Sequence, residues 1–361
     1  MAFPVPAAPN PIRAQVQEPW QPTRAPLYFM QGRALVTGIG RPRDYQKAFL
    51  YMRRAAVWGH AKAQNELGVL YRQGWGIPKD PVMAGLWFQR AAEQGLAQAQ
   101  FNLGIGYRTG QGVDRDFKAA LSWFRKAADQ SYPPAFIALG QMHVNGEGVA
   151  VDLAAAFRRY QEGARLGERR SQYYLGSMFY NGKGARRNLQ EAFRWYQKAA
   201  EQGYARAQNS LGAMYLAGEG TAADPAEAFY WFRLAAEQGM KLAQLNLGLL
   251  HYRGVGTSRN HAAAARWIQA AADQGHMEAQ FYFGLLLAQG KGVAKDSKQA
   301  LEWFRRAAEQ GHPKAALWIG RINEKGLGVA RNLGEARRWY RRAAALGSDA
   351  GRDALRRLDG K

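Results

Sequence analysis

Three kinds of residue in this chain have the chemistry to build a reactive centre: six histidines, a scatter of carboxylates and a series of Gly-x-Gly pairs. A pair such as Gly110-Gln111-Gly112 suggests a phosphate-cradling loop, but a dinucleotide loop follows a strand, and here every pair sits between two stretches of helical pattern. No Gly-Lys-Ser or Gly-Lys-Thr phosphate loop occurs. The histidines have no zinc-ligand spacing. His60, His276 and His312 share one register and predict a polar surface turn, whereas His143 and His251 replace the tyrosine of a helix A column and predict core substitutions. Glu93, Glu201, Glu237 and Glu309 also share one register, which makes them structural before catalytic. With no cysteine, thiolate metal sites, cysteine nucleophiles and disulfides are excluded. The chain is expected to be no enzyme and to hold no metal or cofactor.

The same residues instead expose a period. Gly68, Gly104, Gly140, Gly176, Gly212, Gly248, Gly284 and Gly320 are each 36 residues apart, the signature of a repeat array. Alanine recurs in the same way from Ala48 to Ala336, and again eight residues after each of those positions. Of 41 glycines, 35 fall in four repeat slots, so glycine acts here as punctuation.

Each unit predicts two helices. The first, helix A, carries apolar residues such as Ala63, Leu67, Leu70 and Tyr71 at helical spacing and stops at a glycine such as Gly74, which can take the left-handed conformation that closes a helix. The second glycine of the pair lets the chain reverse. Helix B then opens at Asp44, Asp80, Asp116, Asp152, Asn188, Asp224, Asn260, Asp296 or Asn332, whose side chains can cap free first-turn amides for about 1 kcal/mol each. Its stripe of Ala84, Trp87, Phe88, Ala91 and Ala92 needs a neighbouring unit to cover it.

The motif Ala99-Gln100-x-Asn102-Leu103-Gly104-x-x-Tyr107-x-x-Gly110-x-Gly112-Val113, followed by Asp116, Ala120, Trp123-Phe124 and Ala127-Ala128, resembles the Sel1-like repeat, a relative of the tetratricopeptide repeat. The resemblance covers nine successive units over about residues 27–347. It implies an all-α, α/α superhelical solenoid of helix-turn-helix repeats, and a protein–protein scaffold or adaptor in bacterial envelope, secretion or signalling assemblies. Residues 1–26 hold seven of fourteen prolines and are expected to be an extended leader. Residues 348–361 are expected to form a capping helix and tail, with Arg356 in the glycine register because no further helix need approach. The fourth unit departs most, with Ser131 for glycine, Pro133-Pro134, Phe136 for glutamine, His143 for tyrosine and Arg159 for tryptophan. Two readings stand for it, sequence drift and a bend.

If the Leu-Gly glycine faces helix B, helical rotation puts positions 62, 65, 69, 72 and 73 on the opposite face of helix A, lining the groove. Column 65 contains Asn65, Phe101, Tyr173, Leu245 and Phe281, and column 62 supplies Lys62, Arg170, Arg206 and Lys314. Column 72, with Arg72, Arg108, Tyr180 and Tyr252, is the less regular one and the better candidate for selectivity. The expected partner-binding residues are therefore Lys62, Arg72, Arg108, Arg170, Tyr173, Tyr180, Arg206, Tyr252 and Phe281. For the aromatics of column 65, packing between neighbouring A helices stands beside partner binding.

A net charge of +22 favours an acidic protein partner. It also leaves open an anionic polymer, nucleic acid or acidic polysaccharide, or an anionic membrane surface. No window reaches the roughly 18 apolar residues of a membrane helix. The amino terminus lacks a secretory signal, which implies a cytoplasmic protein if the chain is complete and a periplasmic one if a signal has been removed.

Overall fold

A computed structural model describes residues 22–360, and every regular element of those residues is helical. A 3-10 turn, Pro22–Arg24, leads into α1, Ala25–Thr37. The first helix therefore begins two residues ahead of the boundary expected at 27, and residues 1–21 of the leader lie outside the described chain. The chain divides into two compact units, one of residues up to 171 with 183–186 and one of 172–182 with 187 onwards.

The first contains α1, α2 (Tyr45–Val57), α3 (Ala61–Gln73), α4 (Pro81–Glu93), α5 (Ala97–Thr109), α6 (Phe117–Asp129), α7 (Pro133–Asn145) and α8 (Leu153–Arg165). The division falls within α9, Arg169–Asn181. The second continues with α10 (Leu189–Glu201), α11 (Ala205–Ala217), α12 (Pro225–Glu237), α13 (Lys241–Arg253), α14 (His261–Asp273), α15 (Met277–Gln289), α16 (Ser297–Glu309), α17 (Pro313–Lys325), α18 (Leu333–Ala345) and α19 (Asp349–Asp359). Odd-numbered helices are the A helices and all start 36 residues apart; the even-numbered B helices do the same.

The caps explain why the boundaries repeat. Asp80 accepts the backbone N–H of Met83 at 2.9 Å and Asn260 that of Ala263 at 2.9 Å, and the same bond opens the other B helices. In most pairs the glycine column takes a B-helix ring at close range, and at Gly248 it takes Ile268 instead. A Cβ at Gly140 would stand 2.4 Å from Tyr160, and one at Gly104 would stand 2.6 Å from Phe124. The second glycine of the Gly-x-Gly pair does more than reverse the chain. At Gly256, with φ +66°, a Cβ would lie 1.9 Å from the Pro225 carbonyl oxygen, so this turn seats itself on the start of the preceding B helix.

A glutamine ladder ties neighbouring units. Gln64 Nε2 donates to the Ala56 carbonyl at 3.1 Å and its Oε1 accepts from Gln94 Nε2 at 2.6 Å. The pair recurs as Gln100 with Gln130, Gln172 with Gln202, Gln208 with Gln238, Gln244 with Gln274 and Gln280 with Gln310. In the fourth unit both members are apolar, Phe136 and Leu166, and in the last both are again apolar, Ala316 and Leu346. A second exchange concerns the tryptophan column of helix B. There a cation covers the tryptophan three residues before it, as Lys126 does at 3.9 Å from the Trp123 ring and Arg306 at 4.4 Å from Trp303. The fourth unit replaces that contact with an ion pair, Arg159 Nη1 to Glu162 Oε2 at 2.9 Å. Two of its departures, Phe136 and Arg159, thus come with a matched partner, which is what compensated packing requires.

Candidate functional site

Burial sorts the A-helix columns. Column 62 is open: Lys62, Arg170, Arg206 and Lys314 are all exposed. Columns 69 and 73 are open or half-open, as expected, and column 66 is half-buried at Glu66, Tyr174, Tyr282 and Trp318 but buried at Asn102 and Ala138. Column 65 does not line this face. Phe281 is buried, its ring stacked on His312 at 4.4 Å and tilted against Phe304 at 5.9 Å. Tyr173 is half-buried among the rings of Tyr174, Tyr196 and Tyr204. Both residues therefore belong to the packing layer between units, and the face runs 62, 66, 69, 73, one residue further round the helix than the expected set.

Column 72 is occupied by bridges to the next turn, 39 residues on. Arg108 holds Glu147 at 2.6 Å through Nε and at 3.2 Å through Nη2, while Nη1 donates to Gln141 at 3.1 Å. The pairing keeps the Glu147 carboxyl below the usual carboxylate range. Tyr180 donates its hydroxyl to Glu219 at 2.7 Å, a bond that raises the phenol's pKa. Lys291 Nζ donates to the Tyr252 hydroxyl at 2.9 Å. These three side chains tie units together before they can meet a partner. Arg72 is the exception. Position 111 offers glutamine instead of a charge, so its guanidinium lies 5.1 Å from the Phe88 ring centroid and gives one bond, 3.2 Å, to Asn102 Oδ1. Burial draws its pKa below the usual arginine value. The signal for these bridges was present in the sequence as Arg108 with Glu147, Tyr180 with Glu219 and Tyr252 with Lys291, all at one separation.

Three of the histidines act as caps. His60 Nδ1 accepts the Ala63 N–H at 3.1 Å, His276 Nδ1 that of Ala279 at 3.3 Å, and His312 Nδ1 that of Ala315 at 3.1 Å. His312 is buried, contrary to a surface turn, because it is stacked on Phe281 and its Nε2 lies 3.0 Å from Glu278. His143 and His251 are half-buried, as core substitutes for tyrosine should be, and burial lowers the pKa of both. Among the described residues no group of three or more His, Cys, Asp or Glu could hold a metal ion. No helix of those residues is long and apolar enough to cross a membrane.

Stacked antiparallel helix pairs of constant length, with a packed interior and an open A-helix face, define an α-solenoid built from helical hairpins. The Sel1 repeat model matches residues 29–56, 61–96, 97–132, 134–168, 169–204, 205–240, 241–276, 278–312 and 313–348. The chain belongs to the Sel1 repeat family. A solved Sel1 repeat protein from Oxalobacter formigenes is 33% identical, with a TM-score of 0.64 over 86% of this chain and 89% of that one. The protein c5321, described as a protective antigen of uropathogenic Escherichia coli with an SLR fold, is 32% identical, with a TM-score of 0.58 over 94% of this chain and 80% of that one. A signal-transduction ATPase with a tetratricopeptide repeat sensor, from Pyrococcus horikoshii, shares only the fold, at 12% identity and a TM-score of 0.56 over 96% of this chain and 56% of its own. No curated protein matches.

Proposed function

We propose that this chain is a non-enzymatic adaptor that binds a segment of another protein along the open A-helix face. Sel1 repeat proteins generally mediate protein–protein interaction, and the family is typically non-enzymatic. The observation that carries the reading is a contrast between columns. The glycine column facing helix B is uniform, and the buried column of Ala63 departs from alanine once across the full units, at Ser171. The open columns 62, 69 and 73 and the half-buried column 66 change from unit to unit in size and charge, which is what recognition of one particular sequence needs. Lys62, Arg170, Arg206 and Lys314 give that face basic edges suited to an acidic segment, and bacterial assemblies are the setting the family suggests.

The test is to capture a partner, map the bound segment by cross-linking, and measure binding by Arg206→Glu/Lys314→Glu. Both side chains are exposed, so the fold should survive and affinity should fall at least about tenfold, the loss expected from reversing two contacts. Unchanged affinity contradicts the reading.

A second reading has its own observation. The residue before each helix B cap is basic in seven of nine units, as Arg43, Lys79, Arg115, Arg187, Arg259, Lys295 and Arg331, and all seven are exposed. They lie on the A–B turns, away from the A-helix face, where an anionic polymer or membrane surface would find them. Arg43, Arg187 and Arg331 also donate Nε to a carbonyl in the last turn of helix A, at 3.1 to 3.2 Å, a local capping role that explains the column without any ligand.

A further inference from the structure

Carboxylates are nearly absent from the A-helix face. In columns 62, 66, 69 and 73 only Glu66 and Glu278 are acidic. Glu278 is taken, its Oε2 lying 3.0 Å from His312 Nε2. Glu66, on α3, is half-buried and has no hydrogen bond or ion pair among the described residues. Burial pushes its pKa up, and the charge of Arg33 on α1 offsets only part of that. A carboxylate drawn out of water without a partner costs free energy, which a cation arriving from outside would recover.

Two cations flank it, one toward each neighbouring A helix. Arg33 is exposed, and its guanidinium makes no hydrogen bond or ion pair among the described residues. On the other side Arg72 reaches across to Asn102 of α5 with its one hydrogen bond, 3.2 Å, and has no carboxylate. The three helices are in contact. Phe29 of α1 stacks on His60 at the head of α3 at 4.7 Å, and Asn102 Nδ2 donates to Asn65 Oδ1 of α3 at 2.8 Å. Packed helices lie about 8–10 Å apart, and an extended chain advances about 3.3 Å per residue. A segment crossing α1, α3 and α5 therefore meets one of these charges about every three residues, in the order plus, minus, plus. Met30, 67% exposed, and the half-buried Val69 and Ile105 give apolar surface between them.

We propose that Arg33, Glu66 and Arg72 select a partner segment carrying a lysine or arginine with an acidic residue three positions to either side, the basic side chain seating on Glu66. The pattern is complementary in charge to the row it crosses. A chain of net charge +22 would by itself prefer the more acidic of two peptides, and the seat at Glu66 reverses that preference at one position. The site deepens the adaptor reading and rests on it.

The probes are two fluorescein-labelled peptides, Asp-Ala-Leu-Lys-Leu-Ala-Asp-amide and the same peptide with glutamine in place of lysine, titrated with the full chain at one ionic strength. The lysine probe should bind about tenfold more tightly, although the glutamine probe is the more acidic. Glu66→Gln should remove that difference, while Glu93→Gln, the same change of charge at an exposed site on α4, should keep it. Arg72→Gln should weaken both probes and leave the lysine preference intact. Glu66→Gln removes an unpaired half-buried charge, so the variant should melt no lower than wild type. If it does not fold, the two probes on wild type and on Arg72→Gln still decide the matter. Equal or tighter binding of the glutamine probe, no binding of either, or a lysine preference that survives Glu66→Gln overturns the proposal. If a captured segment nonetheless remains sensitive to Arg206→Glu/Lys314→Glu, the adaptor reading stands without it; if that sensitivity is absent too, both fall.

Discussion

Replacing Gly212 with arginine forces a long cation into the seam between α11 and α12. A Cβ alone would stand 3.1 Å from two Phe232 ring carbons and 3.2 Å from the Ala228 carbonyl oxygen. Removing a mid-helix glycine returns about 1 kcal/mol of helix propensity. Overpacking a filled core costs about 1–3 kcal/mol, and an unpaired cation in the same place adds a further desolvation cost. The losses exceed the gain, and we expect a net destabilisation of at least about 2 kcal/mol. Arg356 holds the same register on α19, but its side chain is 78% exposed and pairs with Asp353, so Arg356→Ala should change stability by less than about 0.5 kcal/mol. Because repeat arrays need not melt in one step, hydrogen exchange should accompany the thermal melt. Gly212→Arg should speed exchange in α11 and α12 first. Equal melting curves for the two variants, or exchange in α11 and α12 like wild type, would refute the packing argument.

Other perturbations test other joints. Ser131 is the sole described non-glycine residue with positive φ, at 56°, in a slot where glycine has open space around it, so Ser131→Gly should raise stability by roughly 0.5–1 kcal/mol in urea denaturation; no gain argues against backbone strain there. Phe136→Gln alone should cost about 1–3 kcal/mol, because Leu166 offers no amide to the buried glutamine, and adding Leu166→Gln should recover most of it; an additive double mutant would deny the ladder. Arg108→Ala should cost about 1–2 kcal/mol, with a double-mutant cycle to Glu147→Gln reporting the coupling, since both side chains are only about one-fifth exposed. His60 and His276 have pKa values lowered mainly by burial, so folding favours their neutral, cap-forming state. Their contribution is complete above the unfolded value of about 6.5 and is lost as pH falls through the lower folded value. His60→Asn/His276→Asn should flatten the fall in urea midpoint below pH 6.5, and an unchanged slope assigns it to other groups.

Helix type, boundaries and order were legible because caps, glycines and alanines repeat in a single register, and each constrains the others. The face of helix A was less so. Columns 65 and 66 are about 100° apart on the helix, and only the neighbouring unit decides which is covered; Phe281 and Tyr173 are large enough to suit either place. Column 72 looked irregular when read alone. Read against the position 39 residues on, Arg108, Tyr180 and Tyr252 each have a matched partner, and the same holds for Phe136 with Leu166 and Arg159 with Glu162.

The adaptor reading is tested most directly by the salt dependence of partner binding. A protein segment held by side-chain contacts on the A-helix face should lose little affinity between about 50 and 200 mM salt, whereas a polymer tracked through 6–10 phosphate contacts loses about 10³–10⁵ over that range. A loss under about tenfold, together with sensitivity to Arg206→Glu/Lys314→Glu, is the predicted result. Loss of all binding at the higher salt, with sensitivity instead to Arg259→Glu/Arg331→Glu on the turns, would contradict it.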